Sequence, residues 1–100
     1  MTDELILWLE RQLDASEQLA QAYLTRRERE GTDRETWAYK LALASVTADR
    51  ALVAAYMDAE TYYQANRNAP AGELHGLLTA LKHRVAVHAD EPGYQERWRP

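Results

Sequence analysis

No cysteine occurs anywhere in the chain. Disulfide, thiol and zinc–thiolate chemistry are therefore excluded, and the sequence is compatible with a reducing compartment. Phenylalanine is absent, and isoleucine occurs once, at Ile6. No apolar run approaches the roughly 20 residues a membrane-spanning helix needs. The opening Met1-Thr2-Asp3-Glu4 is acidic where a signal peptide is basic. These absences lead to the expectation of a cytoplasmic protein with no membrane association. Basic charge is also short: the net charge of -4 argues against non-specific nucleic-acid binding.

Recognisable catalytic arrangements are missing as well. Ser16 and Ser45 are the only serines, and neither sits in a Gly-x-Ser-x-Gly elbow. No glycine-rich phosphate loop is present. His75, His83 and His88 do not pair at i, i+4, and no Glu-x-x-His motif supplies a metal bundle. The sequence thus predicts no catalytic residues, no metal and no cofactor.

What remains is rich in alanine and leucine, with 46% apolar residues in a single-domain length of 100. Ala, Leu, Glu, Gln and Arg are strong helix formers, which points to an all-α chain. Thr2 can cap a first helix whose opening turn holds Asp3 and Glu4. Ile6, Leu9, Leu13, Ser16, Ala20 and Tyr23 then fall on a heptad-like stripe, widened by Leu5, Trp8, Leu19 and Leu24. The helix becomes polar at Arg26-Arg27-Glu28-Arg29-Glu30 and stops at Gly31. Thr32-Asp33-Arg34-Glu35 is a capping box that opens a second helix.

That second helix contains Ala51-Leu52-Val53-Ala54-Ala55-Tyr56-Met57, an unbroken apolar run. A helix apolar on every side must be covered from more than one direction. Its 3.6-period face is expected to comprise Trp37, Leu41, Ala44, Ala48, Leu52, Ala55, Ala59 and Tyr62. At 1.5 Å per residue it is a rod of roughly 50 Å. That exceeds a small domain's diameter, so one end projects or pairs with another chain. A third helix presents Leu74, Leu77, Leu78, Leu81 and Val85, and Gly76 inside it suggests a close backbone contact. Pro92-Gly93 ends it, and the tail places Tyr94 and Trp98 four residues apart. The expected architecture is a three-helix antiparallel bundle with a long central helix. Its helices run over about residues 3–30, 33–66 and 73–89, and a packed tail covers 90–100.

The tail segment Ala89-Asp90-Glu91-Pro92-Gly93-Tyr94-Gln95-Glu96-Arg97-Trp98-Arg99-Pro100 resembles the C-terminal signature of a family of small actinobacterial and actinophage proteins of unknown function. That signature reads Ala-Asp-His-Pro-x-Tyr-x-x-x-Trp-x-Pro. Ala89, Asp90, Pro92, Tyr94, Trp98 and Pro100 match it, and Glu91 replaces its histidine. A Trp- and Gly-containing insert usual after the family's first helix is absent here. The resemblance implies an actinobacterial or phage origin, hence a phage or mobile-element accessory role, and implies no activity.

Three functional expectations follow. The first is a non-enzymatic protein-interaction module, homodimeric or bound to a partner, using Trp37, Tyr56, Tyr62, Tyr63 and Trp98. The second is a nucleic-acid-associated protein using Arg26, Arg27, Arg29 and Arg34, or the tail with Arg97 and Arg99. The third is a small-ligand binder or enzyme with an inter-helix pocket at Asp49, Arg50, Tyr56 or His88. The remaining carboxylates, among them Glu10, Asp14 and Glu17, read as a solvated helix flank.

Overall fold

Seven-residue recurrence of buried positions sets the packing. In the computed structural model, α1 spans Thr2–Glu30, α2 Asp33–Ala65 and α3 Gly72–Ala86, with a short 3₁₀ turn at Glu96–Trp98. The structure describes the backbone of residues 2–30 and 33–100 and the side chains of 3–26 and 36–100. Gly31, the capping box at 32–35, the Thr2 cap and the side chains of Arg27, Arg29 and Arg34 lie outside those residues. Among the described residues the fold is all-α, an antiparallel three-helix bundle with a packed tail. No described helix is long and apolar enough to cross a membrane.

In α1 the stripe from Ile6 to Tyr23 turns inward as expected, and Leu5, Trp8 and Leu24 are buried with it. Leu19 is the exception and stands 69% exposed. In α2 the inward set is Tyr39, Val46, Val53 and Glu60, interleaved with Asp49, Tyr56 and Tyr63. Each series steps by seven, the repeat of two helices wound left-handedly about one another.

This overturns the face expected for α2. Trp37, Leu41, Ala44, Ala48, Ala55 and Tyr62 lie on the exposed side, and only Ala59 of that row is buried. The physical reason is that α2 has two apolar sides, and a 3.6-residue period picks out the straighter one. The seam with α1 follows a 3.5-residue period instead, so it drifts round the helix. Helices α1 and α2 align antiparallel along that seam, as the stacked rings of Tyr23 and Tyr39 show, with centroids 3.7 Å apart.

Helix α3 packs antiparallel on the opposite end of the hairpin. Leu81 and Val85 are fully buried against Leu5, Leu9, Val53 and Tyr56. The regular helix ends at Ala86 rather than near residue 89. Beyond it the amides of Val87, His88 and Ala89 bond three residues back, to Arg84, Val85 and Ala86. This tightened turn satisfies the last carbonyls of α3 and brings the chain round to the tail.

The tail packs on Trp8 as well as on α3. The Trp8 indole Nε1 donates to the Pro92 carbonyl at 3.1 Å. Tyr94 and Trp98 meet the Trp8 ring at centroid distances of 5.9 and 5.4 Å. His88 approaches it edge-on at 6.3 Å. Gly93 makes that turn possible. Its φ is +93°, and a Cβ there would sit 2.6 Å from Trp8 Nε1.

Gly76 is the opposite case. It is exposed, and nothing lies within 4 Å of where its Cβ would be. The close contact expected at that glycine is not there. Gly76→Ala is therefore expected to raise stability by roughly 0.5–1 kcal/mol, through propensity alone. Gly93→Ala should lower it by about 1–3 kcal/mol, because both the backbone and the indole are strained. Thermal unfolding checks the pair: the two variants should move the midpoint in opposite directions, by several degrees each.

Candidate interaction surface

The length difference between helices positions the exposed apolar groups. Helix α3 has 15 residues and α2 has 33, or about 22 Å against about 50 Å. Arg84, near the C-terminal end of α3, bonds Asp49, near the middle of α2. Beyond Asp49, towards Trp37, the α1–α2 hairpin therefore continues without α3 beside it. The molecule measures 57 × 24 × 16 Å, as a long hairpin with a third helix along one half demands.

On this open half Leu19, Trp37 and Leu41 are 69%, 68% and 52% exposed. Leu41 precedes Leu52 by eleven residues, and Leu19 follows Trp8 by the same number. Eleven residues make three helical turns, so these side chains continue the rows that α3 and the tail cover. Ala44 and Ala48 lie between them and are exposed. The hydroxyl of Ser45 donates to the Leu41 carbonyl at 3.1 Å, which satisfies it within the helix. Between Trp37 and Ala48 the only charged residue is Lys40, which flanks the row of Trp37, Leu41, Ala44 and Ala48 one helical turn from Trp37 and from Ala44. The strip is apolar, exposed and free of ionic groups along that row.

The other expected partner residues are dispersed. Tyr56 is 3% exposed and Trp98 is 5% exposed, so both belong to the core. The Tyr56 hydroxyl donates to Glu60 at 2.9 Å. Tyr62 and Tyr63 meet edge to face, with centroids 5.0 Å apart, at the far end of α2 from Trp37. About 25 residues, or roughly 38 Å, separate the two ends. Only Trp37 of this set lies on the open strip.

Of the arginines expected at the helix turn or in the tail, the described residues include the side chains of Arg26, Arg97 and Arg99. Arg26 is exposed near the hairpin tip. Arg97 pairs with Glu4 at the opposite end of α1, and Arg99 pairs with Glu96 at 2.5 Å. About 22 residues of α1 lie between those ends, roughly 33 Å. The tail cations are matched to neighbouring carboxylates, and their aromatic neighbours Tyr94 and Trp98 pack on Trp8.

The residues expected to line an inter-helix pocket are likewise apart. Asp49 is 6% exposed. It accepts two hydrogen bonds from Arg84, at 2.7 and 3.1 Å. Arg50 faces the other side of the seam and binds Glu17 and Asp14, the latter at 2.6 Å. His88 lies at the Trp8 cluster. A shallow recess of about 390 Å³ beside Arg50 is lined by Glu10, Asp14, Val53, Ala54 and Met57. No group of three or more metal-ligating side chains occurs among the described residues. Sequence periodicity did not reveal the Asp49–Arg84 pair. The available signal was a carboxylate at a heptad position, seven residues before Tyr56.

The hydrogen bond to Asp49 raises the Arg84 guanidinium above its ordinary value, against the opposing effect of burial. Glu17, and then Asp14, do the same for Arg50. A cation whose value rises on folding contributes stability fully present below the unfolded value, which for a guanidinium lies far above neutral pH. It is lost only as pH climbs through the folded value. Both guanidinium contributions therefore hold across the neutral range. Arg84→Ala would strand the Asp49 carboxylate in the core, at a cost of roughly 1–3 kcal/mol. Arg50→Ala, between solvated partners, should cost less. Chemical denaturation at neutral pH tests the order, and Asp49→Ala combined with Arg84→Ala should recover part of the loss.

The chain matches no family model, no curated protein and no solved structure.

Proposed function

We propose that the chain is a non-enzymatic protein-interaction module that binds through the open strip of the α1–α2 hairpin. The observation that carries this reading is the exposure of Leu19, Trp37 and Leu41 on the half of α2 that α3 does not reach. Contiguous exposed apolar surface of this kind marks a site of association. Its chemistry suits a protein: a large aromatic at one end, aliphatic ridges, alanines between them and no ionic group along the row. The polar atom within it, the Ser45 hydroxyl, already has its partner. Burial of the strip therefore strands no hydrogen-bonding side chain there. Small side chains at Ala44 and Ala48 allow a partner helix to approach closely.

The double variant Leu19→Glu with Leu41→Glu tests this reading. Neither side chain supports the bundle, so helix content should be unchanged and each substitution should move stability by no more than about 0.5 kcal/mol. An apolar dye bound by the wild-type chain in dilute solution should be lost. Unfolding of the variant, or equal dye binding by both proteins, would sink the proposal.

A further inference from the structure

We infer that the occupant of the open strip is a second copy of this chain, related by a two-fold axis perpendicular to the hairpin and passing close to Leu41. The inference rests on the reading of that strip as a binding surface and names its partner.

Three observations carry it. The first is charge. The chain carries a net charge of -4, which disfavours self-association through most of its surface. The row of Trp37, Leu41, Ala44 and Ala48 is flanked by Lys40, and residues 36–48 hold no carboxylate, so two copies can meet there away from the chain's excess acidic charge. A patch that is apolar along its length is self-complementary, as a two-fold interface requires.

The second is shape. Helix α3 stands on the same side of the hairpin as the strip and ends near Asp49. Two copies with tips pointing the same way would bring one α3 against the other and hold the strips apart. Opposed copies avoid this. Each tip then runs alongside the end of the other's α3, and four helices enclose the two strips. The end of α3 also limits how far the copies can slide. Val87, 63% exposed at that end, is an apolar residue the bundle itself leaves uncovered. The opposed arrangement brings the partner's hairpin tip up to it.

The third is area. The described part of the strip, residues 36–48 of α2 with the facing turns of α1, is about 20 Å long and about two helix widths across. That projects to on the order of 400 Å² per copy, and the ridged accessible surface exceeds the projection. The pair therefore lies near the lower bound of about 1,000–1,200 Å² for a specific interface, in the range of a reversible dimer. The strip continues directly from the surface that α3 already covers through Leu52, so the second copy extends an existing packed core.

Sedimentation equilibrium of the whole chain over a wide concentration range tests the inference. A reversible monomer–dimer equilibrium is expected. Leu41→Glu should weaken it at least about 100-fold, because two carboxylates would meet near the axis. Met57→Glu, at an exposed position on the other side of the seam, should leave it unchanged. The chain has no cysteine, so single introduced thiols report cleanly. Leu41→Cys should form a disulfide-linked dimer on mild oxidation, and Ala54→Cys should not. A dimer that survives Leu41→Glu, or one linked as readily through position 54, would overturn the arrangement. A monomer at every concentration that still binds dye at the strip would overturn the second copy and return the surface to another protein. A monomer that binds no dye would overturn the interaction reading as well.

Discussion

Helix α2 has two apolar sides, and α3 is long enough for only half of one of them. The rest of the molecule follows from that mismatch. The heptad seam with α1 covers one side of α2 along its described length, through Tyr39, Val46, Val53 and Tyr56. On the adjacent side α3 closes the groove from its start to Asp49, where Arg84 marks its end. Past that point the hairpin presents leucine, alanine and tryptophan to solvent. Stability is thus concentrated in one half, where Leu9, Leu81 and Val85 are fully buried. The other half is a two-helix hairpin, an arrangement that gains from a further layer.

The buried Asp49–Arg84 pair fits that division. A carboxylate in a core is costly unless it is bonded, and here two guanidinium bonds meet it. The pair fixes how far α3 travels along α2, since a shift by one turn would leave Asp49 without its cation. The Arg50 contacts with Asp14 and Glu17 lie across the seam on the solvated side, where water makes such pairs weaker.

Much of this was legible in the residues. The stripe of α1 reads directly because Glu10, Arg11, Asp14, Glu17 and Gln18 occupy the remaining faces past the first turns, so only one side can face inward. The tail was legible too, because the aromatic pair at Tyr94 and Trp98 needs cover, although the regular helix ends at Ala86, before Pro92 and Gly93. The inward side of α2 was not. When alanine occupies both sides, burial is decided by what packs there, and a period of 3.5 differs from 3.6 by too little to show over four turns. Asp49 reads from the sequence as a pocket residue beside Arg50, and its place in a core ion pair shows only with its partner, 35 residues away. Tyr56 and Trp98 had been expected on the interaction surface, and their size drew them into the core instead. The open strip itself was foreshadowed by the length of α2 relative to α3, and Trp37 was named for it.

Trp8 gives the molecule a direction. Its ring gathers His88, Tyr94 and Trp98, its indole nitrogen holds Pro92, and one turn away Glu4 pairs with Arg97. Residues 4 and 97 are thereby neighbours, at the end of a 57 Å body opposite the hairpin tip. The fold has the layout of a handle and a blade, with Trp8 and the tail at the handle and Trp37 and Leu41 on the blade.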